Sequence, residues 1–349
     1  VTKHQVVVMG ASGFAGAEIL RRLLLHPNFE ILRVCANDHV GEPLASALPH
    51  LEGLTELRFE NPSVTAAIAG ADVVLMGLPH TVSVELVRAV RDPKLRLLDL
   101  SGAFRVRDLD QYQRYYGEAH PAPELLQDFV YGLPELNRDQ IRGALRLASP
   151  GCFATTIQLS LLPLAAAGWL SGNISTVAAT GSSGSGANAT AATHHPVRAQ
   201  NLKTYRPLAH QHAPEILRTL MDAGATDLSL DFVPISAPLT RGIFATSFVD
   251  IPASVTEQEL LDCYTNAYAQ EPFVRIPKQR LPEVVAVNHS NYAEVGFTYG
   301  EVRGNRRRLA VYGALDNLVK GGAGQAIQNL NLMFGLDERL SLQDPGGYP

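Results

Sequence analysis

Residues 5–25 leave the first third of this chain few ways to fold. A short β-branched run, Gln5-Val-Val-Val-Met9, ends at a glycine turn, Gly10-Ala-Ser-Gly-Phe-Ala-Gly16, and Glu18-Ile-Leu-Arg-Arg-Leu-Leu-Leu25 then carries apolar residues at helical spacing. Strand, glycine turn and helix in that order open a parallel α/β sheet. Gly10, Gly13 and Gly16 suit the three jobs of a dinucleotide turn: a tight reversal, close approach of backbone to a pyrophosphate, and close packing of helix on strand. Their spacing is G-x-x-G-x-x-G, a departure from G-x-G-x-x-G, so the placement between strand and helix carries the reading. A plain tight βα turn is the alternative.

A second strand is expected at 31–35, ending near the place where such folds read the ribose. There the sequence offers Asn37, Asp38 and His39. An acid suits a free 2′-hydroxyl and an arginine a 2′-phosphate; no arginine stands there, and NAD and NADP both remain open. Strands at 73–77, 95–98 and 145–148, with a helix at 82–90, continue the alternation and predict a doubly wound parallel sheet. Leu78-Pro79-His80 and Asp99-Leu-Ser-Gly-Ala-Phe-Arg105 follow strand ends, the edge where these sheets bind ligands. Arg105 there could grip a phosphate or carboxylate, or be a solvated surface arginine.

After Leu164 the pattern changes. Strands at 174–180, 228–233, 242–249, 292–302 and 308–314 run largely in series, with helices at 214–221 and 257–269, which predicts an α+β domain on a mainly antiparallel sheet. A final helix over 318–334, with Gly321, Gly322 and Gly324 near its start, is expected to return to the first domain. The division expected is 1–150 with 316–349 for the nucleotide-binding domain, and 151–315 for the catalytic and oligomerisation domain.

Between the two lies Ser149-Pro-Gly-Cys-Phe-Ala-Thr-Thr156. Phe153, Ile157, Leu161 and Leu164 recur at helical spacing, so Cys152 falls in a first turn, where free N–H groups and the helix dipole favour a thiolate. His210-Gln-His212-Ala-Pro-Glu215 stands at another helix start, marked by Pro214. Two histidines and a glutamate make too thin a ligand set for a metal, and an imidazole acting as general base beside a thiol is more economical.

Composition narrows the classes. Of 349 residues 46% are hydrophobic and 18% charged, with a net charge of -5, which suits packed domains and offers no basic excess for nucleic acid. No apolar run is long enough for a membrane span. Three widely spaced cysteines suit a reducing, cytoplasmic setting.

Taken together, GASGFAGAE, LPH, DLSGAFR, YGLPEL, SPGCFATT, HQHAPEI, TRGIFAT and DNLVKGGAGQAIQNLN resemble the N-acetyl-gamma-glutamyl-phosphate reductases, a branch of the aspartate-semialdehyde dehydrogenase family. The resemblance implies NADPH-dependent reduction of an acyl phosphate through a cysteine thioester, in arginine biosynthesis, by a homodimer or homotetramer without a metal. It makes Cys152 the nucleophile and His212 the acid/base. Arg105, His210, Glu215 and Arg241 would face the substrate; Gly10, Ser12, Gly13, Phe14, Gly16, Pro79 and Asn317 would face the cofactor. Phe153-Ala154 stands where the family often has Tyr-Pro, and His-Gln-His where it commonly has His-Arg-His. A rival within the resemblance is reduction of an acyl phosphate carried on a small acidic protein, which Arg198, Lys203 and Arg206 could dock. From other classes come a Cys-His hydrolase or acyltransferase that binds no nicotinamide, and a nucleotide sensor without chemistry.

Overall fold

The apolar run at the start forms β1 (His4–Met9), buried from Val6 onward, and the glycine turn delivers the chain into α1 (Phe14–Leu23). These belong to the computed structural model of the chain, which describes residues 3–348. Around β1 lie β2 (Phe29–Cys35), β3 (Phe59–Glu60), β4 (Val73–Met76), β5 (Arg96–Asp99), β6 (Val130–Tyr131) and β7 (Arg146–Ala148), ordered β3-β2-β1-β4-β5-β7-β6. Every pairing among them is parallel. Helices α2 (Val64–Ile68), α3 (His80–Ala89), α4 (Leu109–Tyr116) and α5 (Pro134–Ile141) complete the alternation. Both faces are covered, which is why Val73-Val-Leu-Met76 is buried at every residue. Strand order reverses between β1 and β4, and the crevice at that reversal is where such sheets receive ligands.

Two compact units divide the chain. One takes the chain through Pro150 and then Gly322–Asp344; the other takes Gly151–Gly321 and the segment from Pro345. The division thus falls at Gly322, a few residues later than Asp316, and the last residues group with the second unit.

The second unit holds α6 (Cys152–Ala166), β8 (Ser171–Thr180), α7 (His195–Arg198), β9 (Lys203–Thr204), α8 (Ala213–Asp222), β10 (Thr226–Ser236), β11 (Ile243–Pro252), α9 (Glu257–Tyr268), β12 (Val274–Arg275), β13 (Ala293–Arg303) and β14 (Arg306–Leu315). Its sheet runs β12-β13-β14-β11-β8-β10-β9. Four of its neighbours pair antiparallel, as strands in series imply. β12 with β13 and β8 with β10 pair parallel instead, the latter because the chain between them crosses over through α8. One sheet face packs against α6; the other leaves Val177 and Phe248, on adjacent strands, 42% and 40% exposed.

The end of the chain also differs from a plain helix. A π-helical turn, Val319–Ala323, precedes α10 (Gly324–Met333), and α10, buried at every residue, packs on α1 and α5 within the first unit. Asn329 Nδ2 donates to the Gly132 carbonyl at 2.8 Å, and Arg22 pairs with Asp344.

Buried from Phe153 to Ala165, α6 is the centre of the second unit, and Pro163 interrupts its ladder. Proline has no N–H, so the Leu159 carbonyl loses its partner four residues on. The Tyr268 hydroxyl from α9 donates to that carbonyl, and Tyr264 donates to Ser160 O at 2.6 Å. Tyr268→Phe would strand the Leu159 carbonyl and is expected to destabilise the protein by about 1–3 kcal/mol in urea titration. A midpoint equal to the parent protein's would rule out that role for the phenol.

Candidate active site

Cys152 is the first residue of α6, and Gly151 is its N-cap in extended conformation, φ -70 and ψ 149. The thiol therefore sits where the helix dipole and first-turn N–H groups favour an anion. Gly151 is a glycine for reasons of space: a Cβ there would lie 2.5 Å from Cε1 of His212. The imidazole thus packs directly on the residue before the thiol. On its other side the Gly151 N–H donates to Glu215 Oε1 at 2.8 Å.

His212 and Glu215 share the start of α8, where Pro214 fits because its missing N–H costs nothing in a first turn. The His212 N–H donates to His210 Nδ1 at 3.2 Å. His210 is buried edge-on among Phe153 at 5.4 Å, Phe232 at 5.3 Å and His212 at 4.6 Å. That burial, with Arg206 nearby, pulls its imidazole down to about 4. His210 is therefore neutral at neutral pH, with Nδ1 as acceptor and its proton on Nε2. Glu215, 2% exposed, spends one oxygen on the Gly151 turn, and Gln158 Nε2 donates to its carbonyl at 3.1 Å.

A second set comes from the end of β14 and the π turn. The Asp316 carboxylate is fully buried and accepts N–H groups of Leu318 (2.8 Å), Val319 (3.1 Å) and His289 (2.7 Å). It also lies 3.5 Å from Arg241 Nη1, which fixes that guanidinium. Asn317 Oδ1 accepts the Gly242 N–H at 2.7 Å while its Nδ2 donates to Ser183 Oγ at 3.0 Å. Gly321 backs onto Cys152, since a Cβ there would stand 2.8 Å from Cys152 Cβ. One short segment therefore holds Arg241 through Asp316, ties Asn317 to Gly242 and Ser183, and brings Gly321 against Cys152.

The first unit carries the other expected residues at the carboxyl ends of its strands. Gly10, at φ 73, has the Gly77 carbonyl carbon 2.9 Å from where a Cβ would be, and at Gly16 the nearest atom, Ala11 Cα, is 2.5 Å away. Both must be glycine on the protein's own account. Gly13 is different: a Cβ there meets only Gly10 O, at an ordinary 3.6 Å. The bare backbone at Gly13 fits close approach of a pyrophosphate, as a dinucleotide turn requires. Phe14 opens α1 and is 42% exposed, Pro79 is the N-cap of α3, and Arg105 Nη2 donates to Leu100 O at 2.6 Å. Ser12 Oγ donates to Asp38 Oδ1 at 2.6 Å, and this bond holds the Asp38 carboxyl below its usual range.

Sequence reasoning missed Tyr205, whose ring lies 5.8 Å from that of His210. It noted Gly321 as a close-packing residue without finding what it packs on. Of the other thiols, burial pushes Cys35 up to about 11 and Cys263 upward as well. Among the described residues no group of three or more His, Cys, Asp or Glu side chains is placed to hold a metal ion, and no helix is long and apolar enough to cross a membrane.

Comparison with known proteins matches residues 5–144 to the semialdehyde dehydrogenase NAD binding domain and residues 152–317 to the semialdehyde dehydrogenase dimerisation domain. An N-acetyl-gamma-glutamyl-phosphate reductase of Symbiobacterium thermophilum is 40% identical over 349 residues, 99% of each chain. A [LysW]-L-2-aminoadipate 6-phosphate reductase of Deinococcus radiodurans is 38% identical over 353 residues, again 99% of each. Among solved structures, an aspartate semialdehyde dehydrogenase with NADP from Candida albicans superposes with a TM-score of 0.69 at 15% identity, covering 95% of this chain and 99% of that one. At that identity the likeness is one of fold.

Gly321→Ala pushes a methyl group into Cys152 Cβ and is expected to lower kcat about 100-fold, the scale of a small displacement of a reacting group. Unchanged kcat would show that the π turn does not position the thiol.

Proposed function

We propose that this chain, which belongs to the semialdehyde dehydrogenase family, reduces N-acetyl-gamma-glutamyl phosphate to N-acetylglutamate semialdehyde and inorganic phosphate with NADPH, a step of arginine biosynthesis. The observation that carries the reading is the packing of the His212 imidazole on Gly151, immediately before a helix-terminal cysteine. A relative 40% identical over its full length bears that reductase name.

The Cys152 thiolate attacks the acyl phosphate carbonyl, the carbonyl reforms as phosphate leaves, and a thioester remains. Gly10, Ser12, Gly13, Phe14, Gly16, Pro79 and Asn317 would hold NADPH, which when bound would supply the hydride that reduces the thioester carbon. First-turn N–H groups of α6 steady the charge that develops on oxygen. His212 protonates that oxygen, then takes the proton back as the C–S bond breaks and the thiolate returns. Glu215 keeps the Gly151 turn in place while Arg105, Arg241 and His210 bind the substrate's charged and polar ends. The dimerisation-domain match supports a homo-oligomer formed through the open sheet face around Val177 and Phe248. Three cysteines outside any disulfide suit the cytoplasm.

A second reading keeps the chemistry and moves the acyl phosphate onto an acidic carrier protein. It is favoured by the reductase with the [LysW] name and by the exposed Lys203 and Arg206. Activity on the free acyl phosphate decides for the first reading; a strict need for carrier decides for the second. A hydrolase without nicotinamide does not fit a chain whose residues 5–144 match an NAD binding domain.

Run in reverse with semialdehyde, phosphate and NADP, the protein should form NADPH only when phosphate is present. Cys152→Ala should cut this by more than about 1,000-fold. A higher residual rate would exclude covalent catalysis. Asp38 follows the end of β2, the strand end where such folds read the ribose, and its carboxyl is held below its usual range, so if it faces the 2′ position Asp38→Ser is expected to lower KM for NADPH several-fold and leave KM for NADH equal or higher. An unchanged ratio would place the 2′ position elsewhere.

A further inference from the structure

The segment from Pro345 groups with the second unit, and Gly346 is where it is seated. Gly346 takes left-handed backbone, φ 85, and a Cβ there would run into the Asn288 carbonyl oxygen, with Ser290 Cβ 3.2 Å away. Only a glycine can lie so close in that conformation. Its neighbour is under no such constraint: a Cβ on Gly347 would meet His289 Cδ2 at an ordinary 4.0 Å.

The two residues that Gly346 touches flank a strained one. His289 is left-handed at φ 62, a conformation that a residue with a side chain keeps only where its surroundings fix it. Ser290 is held by its N–H and its hydroxyl, which donate to Val287 O at 3.2 and 2.8 Å, and Asn288 by its N–H on Val284 O at 3.1 Å. Gly346 closes over the pair. The strained backbone turns the His289 N–H onto Asp316 Oδ2 at 2.7 Å. That same oxygen faces Arg241 Nη1 at 3.5 Å, whereas Oδ1 accepts the N–H groups of Leu318 and Val319 from its own segment. Asn288 also backs the residue after Arg241, since a Cβ on Gly242 would stand 3.1 Å from Asn288 Oδ1.

We propose that Gly346 is a positioning residue for the substrate site: seated on Asn288 and Ser290, it keeps the His289 N–H on Asp316 Oδ2 and thereby keeps Arg241 oriented to bind the anionic end of the substrate. This deepens the proposed reduction and rests on Arg241 being a substrate ligand. The physical reason is that one carboxylate oxygen serves two donors. Asp316 is fully buried, and a buried charge that loses a hydrogen bond recruits another. With the His289 donor withdrawn, the guanidinium 3.5 Å away is the group that answers, and it is drawn toward Asp316 at the expense of the substrate.

Hydrogen exchange of the His289 amide, read by mass spectrometry after fragmentation to that residue, reports the clamp without any turnover. In Gly346→Ala that amide should exchange about tenfold faster or more, as a protected N–H does when its local structure opens. KM for the acyl phosphate should rise about tenfold with kcat changed by less than about threefold, the mark of lost binding and not of lost chemistry. Gly347→Ala, one residue on, should leave both at the parent values. Should Gly346→Ala not fold, a chain ending at Pro345, which loses the glycine without gaining a methyl, should show the same two changes. Unmoved exchange overturns the inference, and so does faster exchange with KM unmoved or an equal effect of Gly347→Ala. If the parent protein turns over no acyl phosphate while Gly346→Ala still frees the His289 amide, the proposed function falls and the clamp on Asp316 stands.

Discussion

The site depends on how Gly151 is held. Its N–H is taken by a buried carboxylate at 2.8 Å, and the space its side chain would fill is taken by an imidazole. Both partners come from the first turn of α8, so one helix start fixes one backbone position from two directions. With that position fixed, the thiol of the next residue has little freedom, and α6 behind it is buried to its far end. Pre-organisation of this kind places the cost of ordering the reacting groups in folding, before substrate arrives. The π turn adds a third constraint by bringing Gly321 against Cys152. A π turn shifts backbone relative to a regular helix, and here the shifted residue is the one that must have no side chain.

Much of this was legible in the residues, for identifiable reasons. The strand-glycine-helix opening and the cysteine after Pro-Gly are local patterns, and local patterns survive folding. The two histidines and Glu215 could be read together because a helix start places residues two and five apart near one another. What stayed hidden was set by long-range packing. Nothing in DNLVKGGAG says that Asn317 will hold Gly242 and Ser183, or that a π turn will form at Val319–Ala323. Tyr205 could not be picked out, because its inward turn comes from left-handed residues that carry side chains, and Arg206 and Leu208 advertise no such conformation. The parallel pairing of β8 with β10 was missed for a related cause: the helix that makes the crossover lies after a long stretch with little periodicity.

The glycines show why a motif's spacing matters less than its surroundings. Gly10 and Gly16 answer to Gly77 and Ala11, within the protein, whereas Gly13 answers to nothing the protein itself supplies. Only the second kind of glycine speaks for a ligand. The same distinction separates the thiols: burial pushes Cys35 and Cys263 upward, while Cys152 occupies a helix start. Placement alone sets these three chemically alike side chains apart.

The division of the chain has a consequence for how it is made. The second unit is nearly contiguous, from Gly151 to Gly321, whereas the first needs α10, whose every residue is buried against its own partners α1 and α5. On the ribosome the first unit must therefore wait for the residues of α10, which follow the whole of Gly151–Gly321. Until then the apolar flank of α1 stays uncovered, which makes the nascent first unit a natural client for chaperones.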